Sequence, residues 1–208
     1  MNKIIIITSY IEFSDFLTDA DFSDDYVICT DGGFDIAAEY GITPNLLLGD
    51  FDSIKSSIPT DANIEKYPPE KDFTDLEIAV KKAAELKASD VEIIGGIGGR
   101  LDHTVANLQI LSHYSSLFDR LVIYDGKNKC FIAKIGTTSI PYEHNSYISI
   151  FSLSEQCEGI TFENVKYPLE NHRLTRNFPL GVSNEFKNRK SASLSVKSGT
   201  LLTVIAKK

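Results

Sequence analysis

The chain has 208 residues, 42% of them hydrophobic and 24% charged, an ordinary globular balance that supplies a core for one large domain or two small ones without disulfide or metal staples. Its 29 acidic residues against 21 basic ones leave a formal charge of −8, which repels phosphate backbones and argues against a general nucleic-acid binder. No stretch approaches the roughly 20 apolar residues of a membrane span, and Cys29, Cys130 and Cys157, odd in number and without metal spacing, read as reduced thiols of a cytoplasmic protein.

In chain order, the apolar run after Lys3 is too short for a signal-peptide core and meets polar residues at once, so Lys3–Ser9 reads as a buried strand. Further strands are expected over Tyr26–Thr30, Leu46–Gly49, Val91–Gly95 and Arg120–Tyr124. Several are Ile, Leu and Val runs without alternation, as in a parallel sheet covered on both faces. Helices fall between them, over Phe34–Tyr40, Thr74–Leu86 and about Asp102–Ser115. The second carries Leu76, Ala79, Val80 and Ala83 on one stripe, and the third carries Val105, Leu108 and Leu111 in helical spacing. The texture changes after Asp125-Gly126. From Cys130 onward strands are expected instead, at Ser146–Leu153, Ser191–Val196 and Leu201–Ala206, the last two joined by a hairpin turn over Lys197–Thr200. The fold class is therefore an α/β N-terminal domain with a mainly parallel sheet, residues 1–126, followed by an all-β sandwich, residues 127–208.

Four clusters at strand ends or helix starts carry the chemistry. Asp31-Gly32-Gly33 lets backbone approach a ligand and leaves N–H groups for an anion, although it also fits a plain turn capped by Asp31. In Gly49-Asp50-Phe51-Asp52-Ser53 the carboxylates at i and i+2 of an extended segment point to one side, and hard oxygen ligands suit Mg²⁺ bridged to phosphates. A capping turn is the alternative there. Lys71-Asp72-Phe73-Thr74-Asp75-Leu76-Glu77 opens a helix with capping-box spacing between Thr74 and Glu77. Lys71 works against the helix dipole and makes better sense facing a phosphate, with Asp75 turned to a metal. Gly95-Gly96-Ile97-Gly98-Gly99-Arg100-Leu101-Asp102-His103 offers loop amides and a planar guanidinium fork, in neither Walker A nor dinucleotide-fingerprint spacing. Asp31, Asp50, Asp52, Asp75 and Asp102 would repel one another without a cation. An acidic protein binding an anionic nucleotide needs such a cation between them. The four histidines lack metal spacing, and His103 reads as a bystander.

These segments, in this order and spacing, together with Gly181-Val182-Ser183-Asn184-Glu185-Phe186, resemble the thiamine pyrophosphokinase family over essentially the whole chain. The resemblance implies transfer of pyrophosphate from ATP to the hydroxyl of thiamine, giving thiamine diphosphate and AMP. It implies Mg²⁺ on Asp50, Asp52 and Asp75, and a homodimer with thiamine between subunits. It places ATP against Asp31, Gly32, Gly33, Lys71, Asp72, Thr74, Gly98, Gly99, Arg100 and Asp102. Asp50, Asp52, Asp75 and Arg100 form the implied catalytic set. Ser183 and Asn184 would meet thiamine, with Phe186 where some relatives carry a tryptophan. Either Asp50 or Asp75 would take the hydroxyl proton. A glycosyltransferase and a non-catalytic nucleotide sensor are the rival readings. The first leaves Lys71–Asp75 and Gly98–Asp102 without a role, and the second predicts ATP binding without turnover.

Overall fold

The computed structural model describes residues 3–52, 54–68, 70 and 72–208. The fold is sheet-rich with a smaller helical part, and the chain divides into two compact units, Met1–Gly126 and Lys127–Lys208.

In the first unit the strands are β1 (Lys3–Ile7), β2 (Tyr26–Thr30), β3 (Leu46–Gly49), β4 (Ile64–Lys66), β5 (Asp90–Ile94) and β6 (Arg120–Tyr124). They lie in the order β6-β5-β1-β2-β3-β4, every neighbouring pair parallel. Ile4, Ile5, Ile6 and Ile7 of β1 are fully buried, because a central parallel strand has both faces covered. The chain builds outward from β1 through β2, β3 and β4, then returns to lay β5 and β6 on the other side of β1. The carboxyl ends of β1 and β5 therefore flank the point where strand order reverses, which is where open parallel sheets form a crevice. The short exposed strand β4 was not expected from the sequence.

The helices are α1 (Gly33–Glu39), α2 (Asp75–Glu85) and α3 (Leu101–Tyr114). The side chain of Thr74 caps α2 by accepting from the Glu77 N–H at 3.2 Å, and Leu76, Ala79, Val80 and Ala83 are buried as their spacing requires. Helix α3 is turned away from its expected stripe. It buries Asn107, Ile110, Leu111 and Tyr114 and leaves Val105 49% exposed. The reason is polar: Asn107 Nδ2 turns inward to donate to the Gly96 carbonyl at 2.6 Å.

In the second unit the strands are β7 (Asn128–Ala133), β8 (Gly136–Ile140), β9 (Ser146–Ser152), β10 (Gln156–Glu163), β11 (Leu169–Thr175), β12 (Gly181–Glu185), β13 (Ala192–Val196) and β14 (Leu201–Lys207). They form antiparallel arrays of order β12-β9-β14-β7 and β11-β10-β13-β8. Both contribute to one core, with Ile148, Ile150 and Ile205 from one array and Phe162, Leu174 and Leu194 from the other. In β9, Ser146, Ile148, Ile150 and Ser152 alternate inward.

The hairpin expected between β13 and β14 does not form. Strand β13 pairs with β8 and β10, whereas β14 pairs with β7 and β9. The connecting turn bonds to Glu158 instead, which accepts from Lys197 N at 3.0 Å and donates to Ser198 O at 3.0 Å. Gly199, at φ +94°, lets the chain cross from one array to the other. Both strands thus bury their inner residues in one core, an arrangement whose turn chemistry looks like that of a hairpin.

Within that core the Thr203 hydroxyl is fully buried and has no hydrogen-bond partner among the described residues. Thr203→Val keeps nearly the same shape and removes the unpaired oxygen. It should raise unfolding stability by about 1 kcal/mol, read from the urea midpoint of the full chain. A lower midpoint would mean the hydroxyl is satisfied.

Candidate functional site

Strand β1 leaves the sheet at Thr8, whose hydroxyl donates to the carbonyls of Ile94 (3.0 Å) and Tyr10 (3.2 Å). This fixes the Thr8-Ser9-Tyr10 segment beside the end of β5. Around it lies a cavity of about 270 Å³ lined by Thr8, Ser9, Tyr10, Thr30, Asp31, Thr74, Asp75, Leu76, Gly96, Gly98, Arg100, His103 and Asn107. It is built from the carboxyl ends of β1, β2 and β5 and the starts of α2 and α3, at the reversal of strand order.

Asp31 follows β2 at φ +41°, and its amide donates to the Leu48 carbonyl at 3.0 Å. Its carboxylate lies over Gly49, where a Cβ would come within 1.7 Å of Oδ1, and it accepts from the Phe51 N–H at 3.2 Å. A Cβ at 49 would displace that carboxylate, and the backbone there, at φ +149°, is one that side-chain-bearing residues resist. Gly33 has a similar role, since a Cβ there would lie 2.2 Å from the Ile7 carbonyl oxygen and push α1 off the end of β1.

Asp31 is hydrogen-bonded to Asp75. Burial first, then the Asp75 carboxyl as partner and as charge, push the Asp31 carboxyl up from 3.8 to about 7. The charge of Asp50 acts in the same direction, and the Phe51 N–H opposes it. Carboxyl groups from three separate segments thus converge. Asp31, which the sequence reading set against ATP, stands with the acids expected to hold metal. Asp52 is exposed, and its amide donates to Asp50 Oδ1 at 3.1 Å. Among the described residues no three His, Cys, Asp or Glu side chains form a ready metal cage. The donor set is nonetheless all hard oxygen, which suits Mg²⁺, an ion that takes one or two carboxylates and completes its shell with water and phosphate.

On the opposite wall the glycine loop is held from several sides. Gly96 N donates to the Tyr10 carbonyl at 2.9 Å, Asn107 Nδ2 to Gly96 O at 2.6 Å, and Thr104 Oγ1 to Gly98 O at 3.1 Å. Arg100 forks onto Asp102, with Nη2–Oδ2 at 2.6 Å and Nε–Oδ1 at 3.2 Å, and both side chains are exposed. That pairing holds the Asp102 carboxyl below its usual range. Helices α2 and α3 are tied by Tyr114, whose hydroxyl donates to Glu77 Oε1 at 2.7 Å, while Lys81 Nζ lies 3.5 Å from the same oxygen.

Of the residues expected at the site, Asp31, Thr74, Asp75, Gly98 and Arg100 line the cavity. Gly32, Gly33, Asp50, Asp52, Asp72, Gly99 and Asp102 do not line it, and Lys71 lies outside the described residues. His103, read as a bystander, is in the lining. The sequence reading missed Thr8, Ser9, Tyr10 and Asn107. Their only signal was position: the polar end of a central strand, and one amide on a helix face.

In the second unit, Ser183 is exposed at φ +57°, and its amide donates to Ser149 Oγ at 2.9 Å. Asn184 is buried and clasps Tyr167, accepting from its N–H at 3.0 Å and donating to its carbonyl at 2.8 Å. Phe186 packs edge-on against Tyr142, with centroids 5.6 Å apart. Glu185 pairs with Lys166 at 2.9 Å and with Lys208, which pulls its carboxyl down to about 2. A pocket of about 240 Å³ adjoins this segment, lined by Ile150, Phe162, Tyr167, Pro168, Leu169, Leu180, Gly181, Val182 and Asn184.

In fold the chain is of one class with solved pyrophosphokinases. It matches the crystal structure of thiamine pyrophosphokinase from Bacillus subtilis with a TM-score of 0.88 at 26% identity, covering 100% of each chain. It matches that of thiamin pyrophosphokinase from Geobacillus thermodenitrificans with a TM-score of 0.86 at 30% identity, covering 99% of this chain and 98% of the other. In sequence, the family model for the thiamin pyrophosphokinase catalytic domain matches residues 20–124, and that for the vitamin B1 binding domain matches residues 137–201. The curated thiamine pyrophosphokinase of Bacillus subtilis is 32% identical over 185 residues, 85% of each chain. The chain belongs to the thiamin pyrophosphokinase family.

The Asp31–Asp75 contact has a measurable consequence. Folding raises the Asp31 carboxyl from 3.8 to about 7, so across that window the folded form holds a proton that the unfolded chain has released. Stability from this group is present at low pH and is lost as pH rises toward 7. In EDTA, Asp31→Asn should be flatter than the parent chain across that window and relatively more stable above it, read from urea midpoints. Parallel pH profiles for the two proteins would show that folding does not raise the Asp31 carboxyl.

Proposed function

We propose that this chain transfers the pyrophosphoryl group of ATP to the hydroxyl of thiamine, yielding thiamine diphosphate and AMP. The observation that carries this reading is the family match on both units, at residues 20–124 and 137–201. On this reading residues 1–126 are an α/β ATP-binding catalytic domain, supported by the parallel sheet and its crevice. Residues 127–208 are a β-sandwich that binds thiamine, supported by two antiparallel arrays sharing one core. The protein acts in the cytoplasm as a homodimer with thiamine held between subunits. No helix among the described residues is long and apolar enough to cross a membrane.

The thiamine hydroxyl oxygen bonds to the β-phosphorus of ATP, the bond from that phosphorus to the α,β-bridging oxygen breaks, and AMP leaves. Little covalent work falls to the protein, so positioning and charge neutralisation dominate. Asp50, Asp52 and Asp75 would hold Mg²⁺, which when bound draws off charge from the transferred group. The convergence of Asp31, Asp50 and Asp75 supports a cation there, since it offsets their mutual repulsion. Arg100 and Lys71 offset charge on the phosphates, and loop amides at Gly98 and Gly99 add donors, with Asp72, Thr74 and Asp102 framing the nucleotide. Asp50 or Asp75 accepts the hydroxyl proton. Ser183 and Asn184 orient thiamine, and Phe186 supplies an aromatic face for its cationic ring.

The test is AMP release by the purified protein from ATP and Mg²⁺, with and without thiamine. AMP and thiamine diphosphate should appear together and only when thiamine is present. Asp50→Asn should lower turnover by about three orders of magnitude with its Tm retained. ATP binding without AMP under these conditions would favour a nucleotide sensor, and near-normal turnover of the variant would remove Asp50 from the chemistry.

A further inference from the structure

The glycine loop after β5 bends through two pairs of left-handed positions on either side of Ile97, with φ +85° at Gly95, +76° at Gly96, +84° at Gly98 and +55° at Gly99. Glycine tolerates these angles, but the same freedom leaves the loop little intrinsic reason to hold one curvature. Something else must define the direction in which its amides point. The contacts identify Tyr10. Its carbonyl accepts from Gly96 N at 2.9 Å and is itself fixed by the Thr8 hydroxyl at 3.2 Å. A Cβ on Gly95 would lie 2.2 Å from that carbonyl oxygen. The Tyr10 ring then covers the far end of the loop. A Cβ on Gly99 would lie 2.7 Å from Tyr10 Cζ and 3.0 Å from both Cε1 and Cε2, and one on Gly98 would meet Glu12 Oε2 at 2.1 Å and Tyr10 Cε1 at 3.3 Å. The ring occupies the volume that a side chain at 99 would need, while Glu12 and the ring edge together close off position 98. One face remains open: Tyr10 is 43% exposed and lines the cavity with Arg100, Asp31 and Asp75.

We propose that Tyr10 is a positioning residue for the nucleotide, its ring setting the curvature of the Gly98–Gly99 turn so that the loop amides and Arg100 present to the phosphates. Every contact described runs through the ring carbons and the backbone carbonyl, so the ring carries the effect and the phenolic hydroxyl does not. The effect falls on ATP rather than thiamine, because the loop is the ATP wall of the site. This inference rests on the ATP reading given above.

Two measurements on the full chain test it. In steady state with Mg²⁺, Tyr10→Ala should raise KM for ATP about tenfold while KM for thiamine changes less than about twofold. Tyr10→Phe should behave as the parent, and Tyr10→Leu, which keeps bulk without a flat ring, should resemble the alanine variant. In the absence of substrates, amide hydrogen exchange at residues 96–100 should quicken about tenfold in Tyr10→Ala and not in Tyr10→Phe. Unchanged exchange in Tyr10→Ala overturns the proposal. So does an equal rise in both KM values, or loss of function in Tyr10→Phe. If the parent chain itself releases no AMP, the function reading fails, and the exchange measurement still decides whether Tyr10 shapes the loop.

Discussion

Asp31 and Asp75 share a hydrogen bond between carboxyl groups, with Asp50 near enough to add its charge. Like charges brought together in a partly buried crevice are unfavourable unless a proton or a cation sits between them. The first unit is arranged to enforce that closeness. The amide of Asp31 is fixed to the Leu48 carbonyl, Gly49 lies beneath its carboxylate, and Thr74 caps the helix whose first residue is Asp75. A nucleotide's phosphates could not approach such a surface unaided. A proton on Asp31 or a cation among the acids offsets that repulsion, and on the proposed reading a divalent ion there would also meet the phosphates.

The facing wall works by backbone. Its glycines admit angles that other residues resist, and the loop is held by neighbours from α3 and the segment after β1: the Tyr10 carbonyl and ring, Asn107 and Thr104. Behind both walls, the Tyr114 hydroxyl on Glu77 ties α3 to α2, so the helix starts that bear Arg100 and Asp75 are braced at a second point. Rigid supports of this kind matter for phosphoryl transfer, where orientation supplies much of the rate.

How much of this could be read in the sequence depends on whether a feature is local. Strands β1, β2, β3, β5 and β6 are rich in Ile, Leu and Val and were legible, whereas β4, Ile64-Glu65-Lys66, is short, polar and at the sheet edge. Helix α2 declared itself through its cap and stripe. Helix α3 was legible only in part: Leu111 is buried as its spacing requires, but buried Asn107 counts as polar in any periodicity, and its bond to Gly96 depends on how the loop before the helix folds back. In the second unit, β9 and β13 alternate clearly and β14 is an apolar run, but Lys197–Thr200 carries turn residues that serve an arch as well as a hairpin. The paired aspartates were visible because strand ends and helix starts are local features. The Asp31–Asp75 contact, the place of Tyr10 and the clasp of Asn184 on Tyr167 were not, since each depends on tertiary approach.

The most direct measurement is a crystal structure of the full chain with Mg²⁺ and an ATP analogue carrying a methylene between the α and β phosphorus atoms. Density is expected for a metal bound by Asp75 and Asp50, with the phosphates spanning from that metal to Gly98 and Arg100. A nucleotide seated away from the crevice between β1 and β5, or a metal with no aspartate in its shell, would contradict a site organised by those carboxylates.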